Sequence, residues 1–301
     1  VTRVLVTGAG GFVGRAAVPL LVEHGLEVHG VTSGRVALPA VEGVEWHKAD
    51  LLDPGQVGPL ARTVGAERLL HLAWYAVPGQ FYSSVENLRW VEASLALVRH
   101  FAAAGGRRAV MAGSCDEYDL SYGFCSEDTT PLRPGHLYGA CKGAVQSVVA
   151  ASARQLGLAV AWARIFFVYG PGEHPRRLVA STIRSVLRGE TATCRYGGHV
   201  RDYLHVSDLA SALAALVAGD VEGPVNVASG VPVLLGDLVG SVGEQLGRPD
   251  LVSVGRDHVS PEEPPFVVAD VRRLRHAVGW APRLTLESGL ADAIRWHREA
   301  G

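Results

Sequence analysis

The sequence predicts an α/β fold: a doubly wound parallel sheet with a smaller C-terminal substrate-binding lobe. Three observations predict it. Short apolar runs of buried-strand type recur from the first residues, helical segments separate most of them, and a glycine turn joins the first strand to the first helix. Val4, Leu5 and Val6 make the first run, and Thr7-Gly8-Ala9-Gly10-Gly11 the turn. Phe12 to His24 then carries apolar residues at helical spacing, despite Pro19, until Gly25 stops it. Further strands are expected at about Glu27–Thr32, Val44–Ala49, Arg68–Ala73 and Ala109–Ala112, with a helix over Val85–Ala104. After a polar, turn-rich stretch (Ser114–Gly135), a helix is expected over Leu137–Gln155. A sixth strand, Ala159–Phe167, runs into the breaker Tyr169-Gly170-Pro171-Gly172. The expected division is 1–170 for a dinucleotide-binding domain, with parts of about 200–230 packing back onto it, and 171–301 for the smaller lobe.

Composition narrows the function classes. The chain has 301 residues, 48% hydrophobic and only 19% charged, which excludes disorder and coiled coil. A net charge of −2 gives no overall basic field for nucleic acid. The longest apolar candidate, Leu156–Val168, is broken by Arg164, so no membrane span is expected. No basic segment followed by an apolar run opens the chain, which points away from export. Cys115, Cys125, Cys141 and Cys194 lack CxxC spacing, so neither a disulfide framework nor a metal site is expected, and a reducing cytoplasm fits.

Gly8-x-x-Gly11-x-x-Gly14 follows the first strand and opens the first helix, with Phe12 and Val13 inside the same cradle. Glycines let a pyrophosphate approach closely, and the helix N-terminus offers free N–H groups and a positive dipole end. The end of the second strand reads Val31-Thr32-Ser33-Gly34-Arg35, with no acid. An acid there would repel a 2′-phosphate, whereas Thr32, Ser33 and Arg35 would bind one, so NADP(H) is favoured over NAD.

Tyr138 and Lys142 stand four residues apart and so share one helix face. A neighbouring cation favours the phenolate, so the pair is expected to make the phenol acidic enough to exchange a proton with a substrate oxygen. Lysine is scarce here, Lys48 and Lys142 being the two present, so the match carries weight. Ser114 ends the fifth strand, at the sheet edge that faces a ligand crevice.

Several motifs then occur in order. They are Thr7-Gly8-x-x-Gly11-x-x-Gly14, Asp50-Leu51, His71-Leu72-Ala73, Ser114, Tyr138-x-x-x-Lys142, Tyr169-Gly170-Pro171 and Arg201-Asp202-Tyr203-x-x-Val206-x-Asp208. Gly279-Trp280-x-Pro282 and Gly289-Leu290 extend the set nearly to the end. The chain resembles an extended short-chain dehydrogenase/reductase of the epimerase/dehydratase group acting on nucleotide sugars. The resemblance implies a Rossmann fold and an NAD(P)-dependent oxidoreductase. It implies cofactor contacts at Asp50, Leu51, Leu72, Ala73, Tyr138 and Lys142. It places Ser114 and Tyr138 at the substrate oxygen, with Cys115 and Arg201 as substrate contacts. It also implies a homodimer through the helices of about 85–104 and 137–155.

Within that group, dehydratases resemble a pattern with Asp-Glu directly after the Ser or Thr. Here Cys115 holds the first of those positions and the acids are Asp116 and Glu117, which otherwise read as loop charge. A consumable NADPH suits a one-way reductase, so the expected reaction is reduction of the C4 ketone of a nucleoside-diphosphate 4-keto-6-deoxyhexose, in deoxysugar biosynthesis. The alternatives are an NAD-dependent epimerase, a reductase of a ketone or aldehyde without a nucleotide, and a non-enzymatic dinucleotide sensor. Three positions depart from the group's pattern: Phe167 and Trp90 where Asn is usual, and Ser260 where Arg is usual, with Glu262 and Glu263 nearby. Six arginines between His174 and Arg201 (176, 177, 184, 188, 195, 201) read equally as a diphosphate site or as a solvated helix face.

Overall fold

The structure is a computed structural model that describes residues 1–34, 41–255 and 263–300. In chain order the elements begin β1 (Arg3–Thr7), α1 (Phe12–Glu23), β2 (Glu27–Thr32), β3 (Val44–Lys48), α2 (Pro54–Val64), β4 (Arg68–His71), α3 (Glu86–Ala103) and β5 (Arg108–Ser114). They continue with β6 (Phe124–Cys125), α4 (Leu137–Leu156), β7 (Ala159–Ile165), β8 (Phe167–Tyr169), α5 (Leu178–Leu187), β9 (Ala192–Cys194), β10 (Val200–His205) and α6 (Val206–Ala218). The last are β11 (Gly223–Val227), β12 (Pro232–Leu234), α7 (Leu235–Gln245), β13 (Val252–Val254), β14 (Phe266–Ala269), α8 (Arg272–His276) and α9 (Leu286–Ala300).

Seven parallel strands form the main sheet in the order β11-β7-β5-β4-β1-β2-β3. Side chains alternate across a strand, so each strand feeds two cores. Val4 and Val6 join Val18, Leu21, Leu209 and Leu213 on one face, where α1 packs on α6. Leu5 joins Leu97, Val145 and Val149 on the other, beneath α3 and α4. This is the doubly wound Rossmann arrangement expected from the sequence.

A smaller sheet runs β12-β10-β14-β6, with β8 also paired to β10, and β13 pairs with β9. The expected sixth strand is divided. Ile165 is the last residue paired with Ser114 and Val227; from Phe167 the chain pairs with Tyr203 in the smaller sheet. The acids of the Arg-Asp-Tyr motif tie this region together. Asp202 is fully buried and accepts the Ser229 and Gly230 N–H groups and the Ser229 hydroxyl at 2.6–2.9 Å, and the Ala269 N–H at 3.2 Å. Asp208 accepts the N–H groups of Arg283 and Leu284. Among the described residues no helix is long and apolar enough to cross a membrane.

Candidate active site

The C-terminal strand ends face one crevice, as they must in a parallel sheet. Gly8 takes φ +67°, and a Cβ there would lie 2.8 Å from the Ala73 nitrogen. A Cβ on Gly14 would overlap the Gly8 carbonyl oxygen. Helix α1 starts at Phe12 after Gly11, an N-cap with no side chain to offer, so its first-turn N–H groups have no side-chain partner where Phe12 and Val13 line the crevice. This backbone cradle fits a pyrophosphate, because any side chain would fill it. The neighbouring strand is fixed by a buried chain: Thr7 Oγ1 to His71 Nδ1 at 2.6 Å, and His71 Nε2 to Ser94 Oγ at 2.9 Å. Burial pushes His71 down to about 3, so the ring is neutral. Thr7 Oγ1 also accepts the Ala73 N–H at 3.3 Å, which holds Leu72-Ala73 beside Gly8.

One end of the crevice is lined by Thr32, Ser33, Asp50, Leu51 and Trp90 together with the glycine turn. Thr32 Oγ1 accepts the Gly34 N–H at 3.0 Å, and Asp50 Oδ1 accepts the Leu52 N–H at 3.0 Å. The expected phosphate partner Arg35, with Ser260 and Glu262, lies outside the described residues. A different cation stands beside Gly34, next to the residues that line this end. Lys48 is paired with Thr32 in register, and its Nζ lies 3.6 Å from where a Gly34 Cβ would stand. Its signal in the sequence was lysine scarcity alone; the register supplies the rest.

At the other end, Ser114, Cys115, Asp116, Tyr138 and Lys142 line one cavity with Gly8, Gly14, Leu72 and Ala73. Lys142 Nζ donates to the Ala112 carbonyl at 2.7 Å and stands 3.8 Å over the Trp74 ring. It is 5.9 Å from the Tyr138 ring. Burial acts against the acidification of the phenol expected from this ammonium. Burial pushes Tyr138 up and the charge of Asp116 adds to that, while the Ser114 hydroxyl opposes it. Burial likewise pushes Lys142 down, to about 7, against the pull of Glu117.

The two acids after Cys115 divide in role, and the reading of both as loop charge is corrected. Asp116 faces the cavity: Ser114 Oγ donates to its Oδ2 at 3.0 Å and accepts its N–H at 3.2 Å. Burial pushes the Asp116 carboxyl up. Glu117 is fully buried beneath the site. It accepts Ser114 N–H at 2.7 Å, Trp162 Nε1 at 2.9 Å and Arg164 Nε at 2.8 Å. Arg164 in turn donates to the Tyr118 hydroxyl at 3.0 Å.

Of the expected substrate contacts, Cys115 lines the cavity and Arg201 does not. Arg201 is buried 5.4 Å from the ring of Phe167, bonded to His199 Nδ1 at 3.1 Å and facing Glu263 at 3.5 Å. Phe167 lines the cavity in its place. The arginine cluster also splits: Arg177 lines the cavity, whereas Arg176 caps the Pro78 carbonyl and Arg188 pairs with Glu190 on the surface. Sequence reasoning missed the aromatic wall of Trp74, Phe81 and Tyr82, whose rings stand edge-on to Tyr138 at 4.9–6.3 Å. Asn87 anchors it, accepting from Trp74 Nε1 at 2.8 Å and donating to the Phe81 carbonyl at 2.7 Å.

The NAD dependent epimerase/dehydratase family matches residues 4–228, well over half of the chain. The chain belongs to that family. It is therefore an NAD(P)-dependent enzyme of the extended short-chain dehydrogenase/reductase type. UDP-glucuronic acid decarboxylase 1 of Xenopus tropicalis is 30% identical, over 99% of this chain and 72% of its own length. UDP-glucose 4-epimerase of Streptomyces lividans is 27% identical, over 98% and 96%. Among solved structures, MoeE5 in complex with UDP-glucuronic acid and NAD superposes with TM-score 0.85 at 31% identity, covering 99% of this chain and 100% of its own. UDP-glucose 4-epimerase of Thermus thermophilus in complex with NAD gives TM-score 0.86 at 27% identity, with both chains fully covered.

Proposed function

We propose that the protein is an NADPH-dependent reductase of the C4 ketone of a nucleoside-diphosphate 4-keto-6-deoxyhexose, in deoxysugar biosynthesis. The observation that carries the cofactor choice, and with it the direction, is the end of β2. Thr32 and Ser33 line the crevice there, the exposed Lys48 side chain stands against Gly34 just beyond them, and no acid stands at residues 31–34 to repel a 2′-phosphate. Gly8, Gly11 and Gly14, with the first turn of α1, would hold the pyrophosphate; Asp50 and Leu51 would meet the adenine, and Lys142 the nicotinamide ribose. Bound there, NADPH supplies the hydride.

The chain's own residues then handle the proton. Ser114 and Tyr138 bind the ketone oxygen, and the Tyr138 hydroxyl protonates the alkoxide as it forms. A phenol held protonated by burial is the correct starting state for a donor. The Ser114 hydroxyl, which donates to Asp116 at 3.0 Å, turns its one proton to the ketone oxygen when substrate enters. Phe81, Tyr82 and Trp74 line the cavity around Tyr138 and would shield the reacting carbon from water. Arg177 meets the diphosphate. The buried pairing of Glu117 with Arg164 argues against a dehydratase that needs both acids at the sugar.

A second reading, an NAD-dependent nucleotide-sugar epimerase, draws on the NAD named in the MoeE5 and Thermus complexes. We further propose a cytoplasmic homodimer through α3 and α4, whose Leu88 and Val148 are exposed. Supplying a 4-keto-6-deoxy sugar nucleotide should bleach the near-ultraviolet absorbance of added NADPH, one equivalent per product alcohol. Purified protein that carries tightly held NAD and interconverts epimers without net oxidation would establish the epimerase instead. Failure of free nucleoside diphosphates to compete would remove the nucleotide from the substrate.

A further inference from the structure

We propose that His29, Glu45 and His47 form a binding site for a divalent transition metal of the zinc class, on the β2–β3 edge of the main sheet. The register creates it. His29 lies opposite Glu45, and His47 follows two residues on, so all three side chains project from one face. Their ligand atoms lie within 4.8 Å of one another. His29 Nδ1 is 2.9 Å from His47 Nε2, and the Glu45 oxygens stand 3.6 and 3.5 Å from these two nitrogens.

These separations match what such an ion needs. Bonds of about 2.0–2.1 Å at tetrahedral angles put ligand atoms about 3.3 Å apart, so the two nitrogens have only a few tenths of an ångström to yield. Two imidazoles and a carboxylate are a borderline ligand set, suited to zinc rather than to magnesium or calcium. An outer partner is already in place. His29 Nε2 faces Glu27 Oε1 at 3.2 Å, and Arg3 Nε holds that carboxylate at 3.0 Å. An N–H directed at Glu27 leaves the Nδ1 lone pair aimed at the site. The histidines are largely buried while the Glu45 side chain is 65% exposed, which gives the ion a way in and an open fourth position for water.

The site lies apart from the cavity of Ser114 and Tyr138, yet it clips together β2 and β3 just before their paired ends, Thr32 and Lys48. Its effect is therefore expected on stability rather than on chemistry. Chelator-stripped protein titrated with Co(II) should show saturable visible ligand-field bands at one equivalent, displaced by Zn(II) and not by excess Mg(II). Zn(II) at a hundredfold excess over its Kd should raise Tm by roughly 5 °C. His47→Gln and Glu45→Gln should each weaken Co(II) binding by tenfold or more, and Glu27→Gln by about tenfold. Glu45 is exposed, so its variant reports even if His47→Gln folds poorly. Absence of saturable bands in the native chain, or unchanged affinity in Glu45→Gln, would overturn the proposal and leave a hydrogen-bonded histidine pair.

Discussion

Lys142 holds its ammonium 3.8 Å over the Trp74 ring while donating to the Ala112 carbonyl. Cation–π attraction and one hydrogen bond do not replace water, and burial takes the group from 10.5 down to about 7. The unfolded chain therefore holds more protons than the folded one between those values, and stability rises with pH across that window. Lys142→Met removes this titration. Its stability advantage over the native chain should shrink by about 1.4 kcal/mol per pH unit as the pH rises through the window, read from denaturant unfolding at several pH values.

Tyr138 and Ser114 should separate cleanly in kinetics. Tyr138→Phe keeps the ring packed against Phe81 and Trp74 but removes the proton, so turnover should fall by about 10²–10⁴ with Tm nearly unchanged. Ser114→Ala should lower it by about 10². Stopped-flow hydride transfer in the two variants is the measurement; native rates in Tyr138→Phe would refute the assigned proton donor.

Two glycines on one helix should respond oppositely. A Cβ on Gly139 would overlap the Asp116 carbonyl oxygen and come within 2.9 Å of Pro134. Gly139→Ala must push α4 away from the Ser114 turn, costing about 1–3 kcal/mol and displacing Tyr138 from Ser114. Gly143, one turn on, has open space at its Cβ, so Gly143→Ala should stabilise by about 0.5–1 kcal/mol with activity intact. Thermal unfolding and turnover of the pair test both signs.

Cofactor preference should follow Lys48. Lys48→Ala removes the ammonium beside Gly34, so kcat/KM for NADPH should fall by about tenfold while that for NADH stays level. Equal losses with both cofactors would show that Lys48 acts on the strand and not on the 2′-phosphate.

Much of this was legible because the carrying signals are local. Val4 to Val6, the glycine turn and Tyr138-x-x-x-Lys142 each lie within a few residues, where period and chirality act directly. What stayed hidden depends on partners far along the chain. Glu117 reads as charge in a polar turn because nothing nearby shows that Arg164 and Trp162, on β7, will reach under it. Lys48 meets Gly34 only through the β2–β3 register. Spacing likewise reveals the cation near Tyr138 but not the loss of water around both groups. An apolar run carries no mark of a change of sheet, so the sequence predicts one strand through Phe167 where the chain leaves the main sheet after Ile165.

That change of sheet restricts how the molecule can be altered. The chain visits the smaller sheet three separate times, at β6, from β8 through β10, and again from β12 to β14. Between visits it returns to the main sheet through α4 and β7, and then through α6 and β11. A graft of the smaller sheet from a relative therefore cannot be made as one cassette. It needs several matched splices, and a single crossover in a recombination library would unite strands that were never selected to pair.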